Sequence, residues 1–170
     1  MEHNNVHRAF GVYGIIITNN KLVVIKKNGV PYINRFDLPG GSLEDGEFLK
    51  DAINREIKEE TGLKVSKMKQ LGVTSFKYPW HYLDYKMNQH ITVFYEIQEF
   101  AGQVMNSVKQ FEGQDSLGSL LVDFDELTTN NASPLVLKAK DYIQSGVFDT
   151  HDTSLENWHV LPENERAFTN

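Results

Sequence analysis

Residues 47–61, which Gly62 follows, have the spacing of an amphipathic helix whose apolar stripe becomes acidic before the helix ends. One arc of the helical wheel carries Phe48, Leu49, Ala52, Ile53, Glu56, Glu59 and Glu60. Like charges at positions i and i+4, and carboxylates in the last helical turn, each destabilise a helix by a few tenths to about 1 kcal/mol. The chain must therefore fold so that a positive group meets this acidic end.

The chain itself offers too few cations for these three glutamates. Only Arg55 is spaced to reach Glu59 at i,i+4, and Lys58 lies on the opposite side of the wheel. A hard divalent cation such as Mg²⁺, or Mn²⁺ in its place, prefers carboxylate oxygens and keeps waters for substrate phosphates. A metal site is one interpretation of the cluster, and a solvated acidic helix face is the other.

Length and composition restrict the classes of protein to which the chain can belong. Its 170 residues, 40% of them hydrophobic, suit one domain with a single core. The lack of cysteine excludes disulfides and thiolate ligands, so a metal would need oxygen or imidazole ligands. The net charge of −6 argues against a nucleic-acid polymer as partner, and neither a secretory signal nor a membrane-spanning stretch is apparent. We therefore expect a soluble, cytoplasmic protein without a membrane partner.

Runs of β-branched and aromatic residues predict strands, and a second segment has helical spacing. Ser133 as N-cap, Pro134 in the first turn and Gly146 at the end delimit this second helix. The strands are predicted at residues 9–18, 21–27, 71–78, 91–97 and 119–122, with a short apolar piece at 36–38. Residues 79–89 are interpreted as a polar connection. Because strands and helices do not alternate regularly, we expect a mixed α+β sandwich.

Residues 39–63 resemble the signature of the Nudix hydrolases. Gly41 is followed after five residues by Glu47, and after seven more by Arg55-Glu56-Ile57-Lys58-Glu59-Glu60-Thr61-Gly62-Leu63. A looser similarity to the same family extends over residues 8–145, and the chain has the size of its MutT-like members. The resemblance implies an α/β/α sandwich with a mixed β-sheet and a loop–helix–loop. The domain would occupy residues 1–147, and residues 148–170 would form a C-terminal tail of unknown role.

The same resemblance implies roles for the residues of the motif. The metal ligands, for Mg²⁺ or Mn²⁺, would be Glu56, Glu59, Glu60 and the carbonyl oxygen of Gly40. Glu59 and Arg55 would take part in catalysis, and Gly41 and Glu47 would support the site. The alternatives are a surface ion pair for Arg55 and, for Glu47, a first-turn glutamate favoured by the helix dipole.

The general base varies in position among Nudix enzymes, so the resemblance identifies it less directly. Residues 111–114, Phe-Glu-Gly-Gln, resemble the Lys-Glu-Gly-Gln loop that supplies a catalytic glutamate in MutT-type enzymes. Glu112 is therefore the first candidate, with Glu59, Glu96 and Glu99 as rivals. A solvated loop acid without a catalytic role is the alternative for Glu112.

Four further residues are candidates for substrate binding. The rings of Tyr78 and Trp80 would stack on a base or, alternatively, pack in the core. Arg8 and Arg35 would contact phosphate, although lone arginines at strand edges are more often solvated.

For function, the resemblance implies metal-dependent hydrolysis of the diphosphate linkage of a nucleoside diphosphate derivative, such as a nucleoside triphosphate or a nucleotide sugar. Water would attack phosphorus, and the metal would neutralise the pyrophosphate. The alternative is a non-catalytic nucleotide-sensing or regulatory module. The partner is a small nucleotide in both cases, and a homodimer is compatible with either.

Overall fold

The computed structural model describes residues 5–168, which form eight strands and two α-helices. The strands are β1 (Val6–Thr18), β2 (Lys21–Lys27), β3 (Phe36–Asp37), β4 (Gly40–Gly41), β5 (Lys64–Tyr82), β6 (Tyr85–Ala101), β7 (Ser116–Val122) and β8 (Thr153–Ser154). The helices are α1 (Leu49–Thr61) and α2 (Pro134–Ser145), and a short 3₁₀ turn covers Phe124–Glu126. Neither of these two helices has the length and apolar character needed to cross a membrane.

The strands form one mixed sheet. Its main order is β3-β2-β1-β6-β5-β8, with β4 paired to β1 and β7 paired to β2. The β1–β6 and β5–β8 pairs are parallel, and the other pairs are antiparallel. Ile16 of β1 still pairs with β6, whereas Ile17 and Thr18 pair with β2. Strand β1 therefore joins the group β2, β3 and β7 to the long β5–β6 hairpin.

Successive side chains of β1 enter two apolar cores, one on each face of the sheet. Val12 packs in the core that contains Ile57 of α1. The next residue, Tyr13, belongs to the core that contains Leu135 of α2. The two helices thus cover opposite faces, and the predicted α+β sandwich with a mixed sheet and a loop–helix–loop is confirmed.

Both predicted helices are present. Ser133 Oγ accepts a backbone hydrogen bond at the start of α2, and Gly146 ends that helix with φ 73°. Gly62 ends α1 with φ 77°. Helix α1 begins two residues later than expected, because Phe48 has an extended backbone, with φ −77° and ψ 152°, and forms the N-cap.

The prediction of a polar connection over residues 79–89 is wrong. Strands β5 and β6 continue through this segment, and only Leu83 and Asp84 separate them, with Leu83 at φ 51°. The sequence of residues 79–89 shows no alternation of apolar and polar side chains, but pairing between the strands satisfies their backbone N–H and C=O groups. The prediction failed because a local pattern does not reveal the partner strand that extends the hairpin.

Residues 148–168 pack against the sandwich. Strand β8 pairs in parallel with β5, and the Trp158 ring lies 5.6 Å from the ring of Tyr78. Phe168 is 6% exposed, and its ring lies 5.6 Å from that of Phe36. The C-terminal segment therefore closes the core on the α2 side of the sheet.

A chain of hydroxyl and imidazole groups crosses this core. Tyr78 Oη accepts a hydrogen bond from Asn88 Nδ2 at 2.7 Å and donates to Tyr32 Oη at 3.0 Å. The two ring nitrogens of His90 lie 2.9 Å from Tyr32 Oη and 3.0 Å from Tyr13 Oη. Burial lowers the pKa of His90 to about 3, so its ring is neutral. These hydrogen bonds satisfy polar groups whose unpaired burial would destabilise the fold.

Tyr78→Phe should lower the free energy of unfolding by about 1–3 kcal/mol, because Asn88 loses a buried acceptor. Chemical denaturation measures the change. Tyr82→Phe is the matched control, since Tyr82 is 44% exposed, and its effect should stay within about 0.5 kcal/mol. Equal losses in the two variants would contradict the stabilising role of the network.

Candidate active site

The loop before α1 approaches β1 so closely that it requires glycine. Gly40 pairs with Tyr13, and Gly41 pairs with Val12. Gly40 has φ 149°, and a Cβ atom at this residue would lie 2.1 Å from the carbonyl oxygen of Val12. No other residue fits without moving the backbone. The loop is therefore held against β1 immediately before α1.

The last turns of α1 bring two carboxylates to this glycine loop. Glu60 is 1% exposed, and its Oε2 accepts a hydrogen bond from Gly40 N at 2.8 Å. A Cβ atom on Gly41 would lie 2.7 Å from Glu56 Oε1, so the glycine leaves room for that carboxylate. Glu59 is more exposed, with 40% of its side chain accessible. Glu56 and Glu60 thus adjoin the loop, while Glu59 lies toward solvent.

Arg55 connects α1 to the turn that precedes it. Its Nε and Nη2 donate to the two carboxylate oxygens of Glu47 at 2.9 and 2.8 Å. Its Nη1 donates to Glu56 Oε1 at 2.8 Å and lies 3.5 Å from Glu59 Oε2. The hydrogen bonds from Arg55 lower the pKa of Glu47 to about 2. The arginine thus braces the helix and neutralises part of its acidic end.

A buried lysine at the end of β2 faces the same acids. Lys27 is 6% exposed and donates to Asp115 Oδ2 at 2.5 Å. Burial lowers its pKa, but the carboxylates of Asp115, Asp37 and Glu60 outweigh burial and raise the pKa above its ordinary value. Burial raises the pKa of Glu60 well above its ordinary value, and Lys27 opposes this shift, whereas Asp115 and Glu56 reinforce it. A further cation would relieve this excess of negative charge.

The donor set fits a hard divalent cation in its chemistry, although the side chains would have to rearrange. Within residues 5–168, no three acidic or histidine side chains lie close enough to hold one ion. Arg55 hydrogen-bonds with Glu56 and Glu59 in this arrangement. Burial raises the pKa of Glu56 and of Glu60, and a cation would stabilise their charged forms. Carboxylates are the ligands that Mg²⁺ and Mn²⁺ prefer.

Within residues 5–168, no hydrogen bond or ion pair joins Glu112 to Glu56, Glu59 or Glu60. Glu112 is exposed, whereas Asp115 is paired with Lys27 and adds to the effect of burial in raising the pKa of Glu56. Neither Asp115 nor Lys27 was predicted from the sequence as a site residue. The two residues are 88 positions apart, and the antiparallel pairing of β2 with β7 brings them together. No local spacing could have indicated this pair.

The rival bases Glu96 and Glu99 have other partners. Glu96 Oε1 accepts a hydrogen bond from Tyr142 of α2 at 3.0 Å. Glu99 forms an exposed ion pair with Lys67 at 3.5 Å. Because α2 covers the face of the sheet opposite α1, Glu96 is directed away from the acidic end of α1.

Three of the four residues expected to bind substrate are buried. Tyr78 is 0% exposed and Arg35 is 2% exposed, so the stacking interpretation of Tyr78 is wrong and Arg35 is not a solvated strand-edge residue. Trp80 is 8% exposed and stacks on Tyr82 at a centroid distance of 4.7 Å. Both aromatic residues therefore pack in the core. Of the four candidates, only Arg8 is exposed.

Comparison with known proteins extends these observations. The NUDIX domain family model matches residues 6–144. An ADP-ribose pyrophosphatase from Methanocaldococcus jannaschii is 47% identical over 70 residues, which are 41% of this chain and 41% of that protein. An 8-oxo-dGTP diphosphatase from Proteus vulgaris is 28% identical over 123 residues, covering 71% of this chain and 97% of that protein. The chain thus spans less than half the length of the archaeal relative.

A solved structure shows the same fold. The crystal structure of a MutT NUDIX hydrolase from Burkholderia pseudomallei superposes with a TM-score of 0.61 at 19% identity. The superposition covers 79% of this chain and 97% of that chain. The family match includes both the glycine loop and α1.

Proposed function

The chain belongs to the Nudix family, and on that premise we propose that it cleaves the diphosphate linkage of a nucleoside diphosphate derivative with the help of a divalent cation. The observation that carries this proposal is the junction of Glu56 and Glu60 with Gly40 and Gly41. A bound Mg²⁺ or Mn²⁺ would neutralise pyrophosphate oxygens and lower the pKa of the attacking water.

In this proposal, residues of the chain bind the divalent cation and hold its ligands in place. The cation would be held by Glu56, Glu59, Glu60 and the carbonyl oxygen of Gly40. The hydrogen bond from Gly40 N to Glu60 joins loop and helix into one support. Arg55 and Glu47 would keep the helix in register with the turn before it. A site of this kind orients its ligands through the groups that surround them.

The substrate class follows from the relatives and from the charge of the site. The two relatives are named for ADP-ribose, a nucleoside diphosphate linked to a sugar, and for 8-oxo-dGTP, a nucleoside triphosphate. Both compounds contain a nucleoside diphosphate, and a cation would bridge such an anion to the acidic end of α1. We therefore include both classes among the substrates of this chain.

A panel of substrates tests the proposal. Release of phosphate, pyrophosphate and nucleoside monophosphate would be measured with ADP-ribose, 8-oxo-dGTP, unmodified nucleoside triphosphates and nucleotide sugars, in Mg²⁺ or Mn²⁺ and in EDTA. We expect metal-dependent turnover of at least one class. Binding of a nucleotide without turnover of any compound would replace the hydrolase with the sensing module.

Asp115 is our choice for the general base, in place of Glu112. Asp115 is partly exposed, with 44% of its side chain accessible, and Lys27 holds its carboxylate from the buried side. Its charge acts on both Glu56 and Glu60. A carboxylate that faces the metal ligands from a separate loop is suited to accept the proton of the attacking water.

Asp115→Asn should lower kcat by about 100-fold or more, because an amide cannot accept the proton, whereas KM should change little. Steady-state kinetics on the best substrate of the panel measures both constants. Glu112→Gln is the matched control, since it removes the same charge three positions earlier on an exposed side chain, and it should retain nearly full activity. The opposite pattern would return the role to Glu112.

A further inference from the structure

Arg35 is a buried cation without a counter-ion. The residue is 2% exposed, and within residues 5–168 no carboxylate forms an ion pair with it. Its Nη1 donates to the carbonyl oxygens of Thr129 at 3.1 Å and Asn130 at 2.7 Å, and its Nη2 donates to that of His159 at 3.4 Å. Neutral carbonyls satisfy donors but do not neutralise the charge, so this burial is unfavourable.

Two N–H groups in the same place lack an acceptor. Arg35 Nε and Trp158 Nε1 are buried, and neither has a hydrogen-bond partner among residues 5–168. The two side chains are in contact, with the guanidinium carbon 4.5 Å from the centroid of the indole ring. Buried donors are rarely left unpaired in folded proteins. An anion with acceptor oxygens would complement these two donors and the positive charge beside them.

Arg35 and Trp158 both line a cavity of about 450 Å³ between the start of α2 and the C-terminal segment. This volume is within the range of pockets that hold small molecules, roughly 300–1,000 Å³. Its walls include Pro134, Leu137 and Leu155, and none of Glu56, Glu59 and Glu60 lines it. Residues 154–159 form one side, and they lie beyond the segment that matches the family. The cavity is thus separate from the acidic end of α1.

We infer that this cavity binds a small molecule that carries phosphate or carboxylate oxygens, with Arg35 and Trp158 as its anion-binding groups. The anion supplies the missing counter-charge and the missing acceptors, and the indole ring and the leucines accommodate an apolar part. Among the described residues that line the cavity, Glu156 alone is acidic, and it is exposed, so its charge is screened by solvent. The site uses none of the proposed metal ligands.

The indole N–H of Trp158 reports binding directly. The chain has two tryptophans, so ¹⁵N-labelled tryptophan gives two indole signals, and Trp80→Phe assigns them. Inorganic phosphate, AMP and citrate would be titrated in EDTA at constant ionic strength, with sodium chloride as the control. We expect a saturable shift of the Trp158 signal and an unmoved Trp80 signal. Tightest binding of phosphate, AMP or citrate would identify free phosphate, a nucleotide or a carboxylate as the source of the anion.

Two sets of variants separate an anion site from a purely structural arginine. Arg35→Met should abolish the shift while circular dichroism shows a folded protein. Asn157 lines the cavity and is exposed, so changes there leave the core intact even where Arg35→Met does not fold. Asn157→Glu should weaken and Asn157→Lys should strengthen the apparent affinity, each by about threefold or more. A Trp158 signal that responds to none of the three anions, or equally in both Asn157 variants, would overturn the inference.

Discussion

Glu60→Gln should reduce kcat/KM at least about 100-fold, since changes to groups that merely surround metal ligands already cost about 10- to 100-fold. The amide oxygen of glutamine can still accept the hydrogen bond from Gly40 N, so the loop and α1 should remain joined. Burial already disfavours the charged form of Glu60, and a neutral side chain avoids that penalty. The variant should therefore fold normally and lose activity, which kinetics and thermal unfolding measure together.

The metal dependence of stability gives an independent readout of the same change. A ligand at about 100 times its Kd stabilises a protein by about 2.7 kcal/mol, so Mg²⁺ should raise the melting temperature of the wild type and not that of Glu60→Gln. Glu44→Gln is the matched control, because it removes one carboxylate from the same region at a side chain that is 72% exposed. If Glu60→Gln kept the activity of Glu44→Gln, the assignment of Glu60 as a metal ligand would be wrong.

Gly40→Ala should destabilise the protein by about 3 kcal/mol or more, because the new methyl group meets backbone and not a movable side chain. The added Cβ would lie 2.1 Å from the Val12 carbonyl oxygen and 2.8 Å from Tyr13 Cα. Relief of the clash would separate β4 from β1 and move Gly40 N away from Glu60. Loss of stability, measured by denaturant unfolding, should be accompanied by loss of activity under conditions where the variant is still folded.

Gly46→Ala distinguishes the clash from the cost of the backbone angle alone. Gly46 has φ 77°, and no atom of the described residues lies within 4 Å of a Cβ built there. Alanine at this position should therefore cost only about 1–2 kcal/mol, the usual penalty of the left-handed conformation. Similar losses for the two alanine variants would show that the close approach of β4 to β1 does not determine stability.

The acidic end of α1 could be predicted because its information is local. Glu56, Glu59 and Glu60 are spaced at one helical turn or less, and a helix of any fold places them on one arc. The ends of α2 were equally local, since Ser133 and Gly146 act on backbone groups within one turn. The role of a residue that acts within one helical turn can be predicted from the sequence without knowledge of the fold.

Long-range partners decided the remainder of the candidate site. Asp115 and Lys27 meet only because β2 pairs with β7, and Glu112, which the local loop pattern favoured, is exposed. Tyr78 has an aromatic ring of the kind that stacks on a base, but the sheet and the C-terminal segment enclose it. Burial depends on what packs above a side chain, and that is not a property of its sequence neighbours.

By itself, the sequence therefore determined the family, the two helices and the acidic end of α1, because helical periodicity and glycine conformations act within a few residues. Only the tertiary structure decided that Asp115 pairs with Lys27 and that residues 79–89 continue a hairpin. It also decided that residues 148–168 enclose Arg35 beside Trp158. The physical reason is that strand pairing and burial join residues far apart in the chain, and their partners are chosen by the whole fold.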